Sequence, residues 1–468
     1  MLAIVAALAS GGALAAPAVG APTVTVDTFD DSTDGSCGDG DCSLRDAIAS
    51  VDAGGTVRVP PGFYPLTLTG VGDVAAGDLD VTRPMRIVGI GETGAFLDGS
   101  VLGDRAFDVS AAVTLERVTV LGGTTGGRGG VVRVTAGTTR MTEVTLIGGS
   151  AVDGGAVAVG DGARLVVTRS WISAGAASDR GGALFVQGSA TVTRSTISDA
   201  NAAAGGGAFV TRAGALTVHD STISNNVAES GGGGLHVRGS TILRSSTVAR
   251  NEAAAGGAIF AAASGVTVRA SILAGNTASD RGPACSRKLQ TEGQNVVDRV
   301  GCGLHGHGDR VGDAGLGPLR QNGGPTPTHA LRTGSVAIGN GGDRCAALDQ
   351  RGAPRSDCDS GSYELVFCFD RPVTIVGTSG PDDLSGGLNP DVFLGRDGDD
   401  VFQGSLGRDR ACGGRGDDHL VGGPDDDRLA GNGGDDVLRG EGGDDLLLGG
   451  DGADVCRGGT GIDVARRC

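Results

Sequence analysis

From Gly377 onward the chain is written in nines. Ten nonapeptides follow one another without a slip, from GTSGPDDLS at 377–385 to GGTGIDVAR at 458–466. Glycine opens every one. Aspartate holds the sixth position of every one: Asp382, Asp391, Asp400, Asp409, Asp418, Asp427, Asp436, Asp445, Asp454 and Asp463. The eighth position is mostly apolar, as in Leu384, Phe393, Phe402, Leu420, Leu429, Leu438 and Leu447. Six residues make a turn, and three make a short strand with one inward apolar side chain. Two nonapeptides then complete one coil of a parallel β-roll, and repeats i and i+2 stack on the same edge. Asp382, Asp400, Asp418, Asp436 and Asp454 fall on one edge. Asp391, Asp409, Asp427, Asp445 and Asp463 fall on the other.

Such columns are electrostatically untenable without a counter-ion. Two carboxylates about 5 Å apart repel by roughly 0.8 kcal/mol in water, and by about 3 kcal/mol at an effective dielectric of 20. A dication between successive turns reverses the sign. Calcium accepts roughly six to eight oxygens in flexible geometry, whereas magnesium demands a stricter octahedron. Zinc prefers His or Cys, and His419 is the one histidine in the repeats. A solvated acidic linker would have no reason to keep Asp, Gly and an apolar eighth position in register. Calcium is therefore the expected cofactor and the ten aspartates its expected ligands, with up to about eight sandwiched sites. The metal-free segment is expected to be largely unfolded. The fourth position is usually Gly. Asn389 and Asp425 stand there instead, and the former tolerates a left-handed turn better than the latter.

A second repeat precedes the first. From Val118 to Leu273 apolar residues recur every 25 or 26 positions: Val120, Leu146, Ile172, Ile197, Ile223, Val248 and Leu273. Each sits in a segment such as VTRSTIS. Another strand follows a glycine pair in GGAVAV, GGALFV and GGAFV, and a third is looser, as in ARLVVT. Two or three alternating strands per unit with glycine at the corners predict a coil of parallel strands. The unit is too short for a βαβ crossover. Asn226, Asn251 and Asn276 recur at the same interval, either as an amide ladder or as turn residues. The stretch CSLRDAIASV, with Ser43 as N-cap and Leu44, Ala47, Ile48 and Val51 on one face, predicts a short helix plugging the first rung.

The nonapeptides resemble the G-G-x-G-x-D-x-U-x repeat of RTX, or haemolysin-type, calcium-binding proteins. CSLRDAI resembles the Cys-Ser-Leu-Arg-Glu-Ala N-terminal module of secreted bacterial right-handed β-helix proteins, with Asp46 in place of Glu. NGGPTPTHAL at 322–331 and DQRGAPRSDCDSGSYE at 349–364 are similar to that family's closing segment. GSVAIGNGG departs from it, since such proteins more often carry a proline and an aspartate there. The resemblance implies an all-β chain: a right-handed parallel β-helix of the pectate-lyase-like type, followed by a calcium-binding parallel β-roll. It brings no established reaction. The expected organisation is a signal peptide at 1–21, an N-terminal cap at 22–55, the β-helix at 56–300, a closing segment at 301–365 and the β-roll at 366–468.

Composition and chemistry agree with that reading. A net charge of −17 disfavours nucleic acid and favours cations. The apolar N-terminus resembles a secretory signal lacking its basic region, and no later stretch is apolar enough to span a bilayer. The ten cysteines suit an oxidising compartment. They form close pairs at Cys37/Cys42, Cys285/Cys302, Cys345/Cys358 and Cys456/Cys468, leaving Cys368 with Cys412 by elimination. The expected location is extracellular or at the cell surface. The expected role is structural or adhesive, with calcium ions and a cell-surface or extracellular polysaccharide as partners. The alternative is a polysaccharide lyase or glycoside hydrolase. No catalytic residue is assigned. His307 in GHG reads as a loop histidine, His219 and Asp220 face opposite ways as strand neighbours, and Arg180, Arg194, Arg212 and Asp220 could line an outer groove.

Overall fold

The computed structural model describes residues 22–468 except 39, 71–75, 92–93, 300, 343–344 and 356, so the signal-like segment at 1–21 lies outside the described residues. Two stacks of parallel strands follow one another along the chain. In the first, two eleven-stranded sheets, one eight-stranded sheet and one six-stranded sheet form the walls of a coil. The repeating apolar column is its spine. Leu146 pairs in register with Val120 and Ile172, Ile197 with Ile172 and Ile223, and Val248 with Ile223 and Leu273. All seven are buried.

Each full rung carries four strands, one more than the pattern suggested. The extra strand precedes the glycine pair: Ser150–Asp153, Ala176–Arg180, Asn201–Ala204, Val227–Gly231, Glu252–Ala255 and Thr277–Arg281. These segments are Ala-rich and polar, so their β-character comes from pairing with neighbouring rungs and not from propensity. Each pairing also contains a register shift, which blurs the period-2 signal. The glycine that follows takes a left-handed corner, as at Gly154 (φ 67°) and Gly181 (φ 68°).

Polar columns run beside the apolar ones. Asn226, Asn251 and Asn276 form an amide ladder: each Nδ2 donates to the next Oδ1 at 2.9 Å. Serine builds a parallel column that sequence reading missed. The backbone N–H groups of Ser170, Ser195, Ser221 and Ser246 each donate to the hydroxyl of the serine one rung on. Both columns are buried, so each satisfies donors that would otherwise be stranded in the corner of the coil.

The N-terminal helix spans Leu44–Ser50 and packs against the strands Thr23–Thr25, Thr56–Val59 and Leu79–Val81. Ser43 caps it, accepting from the N–H of Asp46. The face Leu44, Ala47, Ile48 and Val51 is buried over the first rung.

The segment after the last rung turns back along the outside of the coil. Its residues cover the outer face of the sheet that contains Thr196–Ser198, Thr222–Ser224 and Thr247–Ala249. Thr196 Oγ1 donates to Pro327 O at 2.6 Å, and Thr222 Oγ1 donates to Gln350 Oε1 at 2.7 Å. Ser362 Oγ bonds Thr247 Oγ1 at 3.1 Å. Arg355, fully buried, pairs with Asp220 at 3.2 Å and with Glu364 at 3.4 Å. His329 bridges Ser224 Oγ and Gly317 O, and burial pushes its pKa down to about 4.

Disulfides join Cys37 to Cys42, Cys285 to Cys302, Cys345 to Cys358, Cys368 to Cys412 and Cys456 to Cys468. The second stack is a roll of two sheets, one of six and one of five parallel strands. Its core is a single file: Phe393, Phe402, Ala411, Leu420, Leu429, Leu438 and Leu447. Strands pair at a spacing of two repeats, as in Phe402 with Leu420 and Leu420 with Leu438.

Candidate metal centre

The nonapeptide turns bring the sixth-position carboxylates into two columns, one at each edge of the roll. Within a column the bonding is uniform. The N–H of Asp382 donates to Asp400 Oδ1, that of Asp400 to Asp418, and that of Asp418 to Asp436, at 2.8–2.9 Å. The other edge repeats it from Asp391 to Asp409, Asp427 and Asp445, at 2.7–2.8 Å. One oxygen of each carboxylate is thus spent on the preceding coil.

The second oxygen is not. Oδ2 of Asp400, Asp409, Asp418, Asp427, Asp436, Asp445 and Asp454 is buried without a hydrogen-bond partner. Seven orphaned anionic oxygens are not a tolerable end state, because each carries a full desolvation cost. In the first turns, Asp382 and Asp391 instead turn Oδ2 back onto the N–H of Thr378 and of Gly387.

The invariant first glycine now has a reason. A Cβ built on any of the ten glycines, Gly377 to Gly458, would sit closer than 3.0 Å to Oδ2 of the aspartate five residues on. Glycine there clears space around a carboxylate oxygen. Left-handed backbone is used elsewhere in the turn, at the fourth position in Gly398, Gly416 and Gly434 and at the second in Arg396, Ser405, Asn432 and Glu441. The left-handed turn expected at Asn389 and Asp425 is not adopted. Asn389 precedes Pro390, which disfavours helical backbone before it. Asp425 instead spends its Oδ2 on the N–H of Gly407 at 2.9 Å.

Electrostatics points the same way. Burial first, and then neighbouring carboxylates, push Asp400, Asp409 and Asp436 up to about 6, and Asp418 and Asp427 to about 7; the backbone donor opposes the rise. Asp445 is raised for the same reasons. Stacked, desolvated, oxygen-only donors with a spare, unpartnered oxygen on each carboxylate fit a hard dication such as calcium. With the metal bound, these aspartates would supply its carboxylate ligands, and the ion would neutralise both columns.

Fifth-position aspartates form an outer row that sequence reading overlooked. Asp399 Oδ1 accepts from the N–H of Asp417, Asp417 from Asp435, and Asp426 from Asp444. These caps run in the opposite sense to those of the sixth position. The repeated DD of the sequence was the available signal.

The β-helix offers no comparable centre among the described residues. Asp220 does not line an outer groove: it is buried under the closing segment against Arg355. His307 is exposed on its loop beside Gln294. Arg180 is committed to Asp153 and lies over the rings of Phe185 and Phe209. Asp78, Asp80 and Asp108 bring carboxylate oxygens within 4.8 Å of one another. Arg105 pairs with Asp78 and Arg133 with Asp108, so two of the three carboxylates already have a cationic partner.

Known families match both stacks. Residues 376–411, 413–438 and 430–465 match the RTX calcium-binding nonapeptide repeat, in four copies. Residues 110–306 match the right-handed beta helix region. The chain thus carries RTX calcium-binding repeats behind a right-handed parallel β-helix. No curated protein matches it in sequence. Among solved structures it is similar to the pectate lyase Pel9A, at 14% identity over 74% of this chain and 97% of that one, with a TM-score of 0.47. It is also similar to the PL6 family alginate lyase AlyGC, at 9% identity over 86% and 73%, with a TM-score of 0.26. Neither likeness bears on substrate or reaction.

Proposed function

We propose that this is an exported calcium-binding protein with a structural or adhesive role outside the cell, in which the ten sixth-position aspartates hold calcium along the two edges of the roll. The carrying observation is the set of seven buried carboxylate oxygens without partners. Energetics makes the metal part of the fold. One inward side chain per nonapeptide is a small core with which to order nine residues, and the repulsion within each column works against it. Calcium supplies what the core lacks, so the roll folds where calcium is abundant. The five disulfides suit the same oxidising surroundings.

The β-helix serves in this reading as a rigid stalk that presents the roll. The alternative is a polysaccharide lyase or glycoside hydrolase, for which no catalytic residue is assigned. Calcium titration of the whole chain, followed by far-UV circular dichroism and limited proteolysis, tests the proposal. The expected result is a coil-to-β gain and protection of residues 377–466 with calcium but not with magnesium. An equal response to magnesium, or none to either, would overturn it.

A further inference from the structure

The two outer faces of the roll are chemically unlike. On the six-stranded sheet, a groove of about 730 Å³ opens along the edge that carries Asp409, Asp427 and Asp445. Five arginines line it: Arg371, Arg408, Arg410, Arg428 and Arg466. In a chain of net charge −17 this is a local inversion. Arg410 and Arg428 stand in register on adjacent strands, one rung apart. Both reach Asp370, at 3.1 and 3.5 Å, and Arg408 pairs with Asp426 at 2.7 Å. Among the described residues, Arg371 and Arg466 have no carboxylate within ion-pair distance. The floor between the charges is apolar and carries Leu446, Ile462 and Val464.

We propose that this groove binds an acidic polysaccharide through its uronate carboxylates, and that calcium loading switches it on. The proposal rests on the calcium reading above. Guanidinium forks match carboxylates in paired geometry, and the pair Arg410 and Arg428, one rung apart, suits a polymer that presents a carboxylate at regular intervals. The apolar floor suits the C–H faces of sugar rings. Among the described residues no aromatic ring lines the groove, so none of them would stack nucleic-acid bases.

Charge counting explains the dependence on calcium. Five guanidiniums face Asp426 and Asp444 in the lining and Asp370 beside them, which leaves the groove net positive. The carboxylates of Asp409, Asp427 and Asp445 also border it, and in the ionised metal-free state they reverse that sign. Calcium on this edge cancels them. The same ions that fold the roll, and so form the groove, would therefore also cancel the carboxylate charge that opposes an anionic polymer there.

The test is calorimetric titration of the full-length, disulfide-bonded chain with a short oligogalacturonate, too short to gel, in calcium. Neutral dextran oligomers and a short single-stranded DNA are the controls. Two double variants are compared: Arg371→Ser with Arg466→Ser, which touches unpaired arginines only, and Arg410→Gln with Arg428→Gln. Calcium binding and the calcium-induced dichroism are followed in each. Saturable oligogalacturonate binding, weakened tenfold or more in both variants with calcium binding intact, is the expected result. Unchanged affinity in both variants, equal binding of dextran, or preference for the DNA would overturn the groove assignment while leaving the calcium reading standing. Failure of calcium to fold the wild-type roll would remove both.

Discussion

Asp418 accepts the backbone N–H of Asp400 through Oδ1 at 2.9 Å, while its Oδ2 lies buried with no partner at all. One side chain thus does two jobs that pull in different directions. It stitches its coil to the one before, which demands burial. It also leaves an anionic oxygen stranded, which burial makes expensive. The arrangement is consistent only if something cationic arrives at the second oxygen.

The glycine at the head of each repeat should be irreplaceable for steric reasons. A Cβ on Gly431 would collide with Oδ2 of Asp436, whereas one on Gly387 meets nothing nearer than Asp391 Oδ2 at 3.9 Å. Gly431→Ala is expected to weaken calcium binding tenfold or more and to cost about 1–3 kcal/mol in the calcium-loaded state, the usual range for overpacking. Gly387→Ala is expected to be near neutral. Calcium titrations and thermal melts of the two variants side by side check this.

The pH response of the roll has a definite sign. Asp418 and Asp427, held up to about 7 by burial and by neighbouring carboxylates, bind protons in the folded metal-free roll that the unfolded chain has released. That stabilisation is fully present below the unfolded value of about 3.8 and is lost as pH rises through about 6 to 7. Acid should therefore partly substitute for calcium, and dichroism of the chelator-treated chain should show more β-structure at pH 5 than at pH 8. Calcium must displace the same protons, so its affinity should climb at least tenfold from pH 5.5 to 7.5. A flat profile would place the metal on other ligands.

The amide ladder in the β-helix should be intolerant of an apolar isostere. Asn251 accepts from both the N–H and Nδ2 of Asn226 and donates to Ile223 O at 3.0 Å. Asn251→Leu strands these groups in a buried corner, at about 1–3 kcal/mol for each left unsatisfied. Denaturant unfolding in excess calcium should show the loss in the β-helix transition, leaving calcium affinity unchanged.

The closing segment should detach when its buried cation is removed. Arg355→Met leaves Asp220 and Glu364 buried without their partner, a change typically worth about 3–5 kcal/mol. Hydrogen exchange should accelerate across the closing segment between 326 and 362, while the amides of Thr222 and Thr247, bonded to Ser195 O and Ser221 O of the preceding rungs, stay protected with the rest of their strands. Uniform loss of protection over the whole coil would instead mean that the segment holds the rungs themselves together.

Much of this architecture was legible because repetition amplifies weak signals. The column Val120 to Leu273 and the two-repeat stacking of the roll are periodic features, and periodicity survives local noise. What stayed hidden was not periodic. Thr196, Thr222 and Thr247 look like solvent-facing residues of an alternating strand. Their cover comes from Pro327, Gln350 and Ser362, more than a hundred residues later, and no local pattern announces it. The spare oxygen of each aspartate was equally invisible. The spacing of Gly431 and Asp436 is plain in the sequence, but their steric relation appears only once the turn is closed. The left-handed turn expected at Asn389 and Asp425 failed because the neighbouring proline and a carboxylate cap outweighed the average preference of the position.

The returning segment also makes the coil's two halves unequal in how they can change length. Gln350 and Ser362 read particular rungs, those of Thr196, Thr222 and Thr247. Duplicating a rung among these would slide every partner out of step, so this part of the coil behaves as a measured length. Among the described residues, rungs on the N-terminal side of Thr168 make no hydrogen bond to Gln350 or Ser362. There the coil could gain or lose a turn and leave the measured part, and the roll beyond it, as they were. A lineage of such chains would therefore grow from one end only.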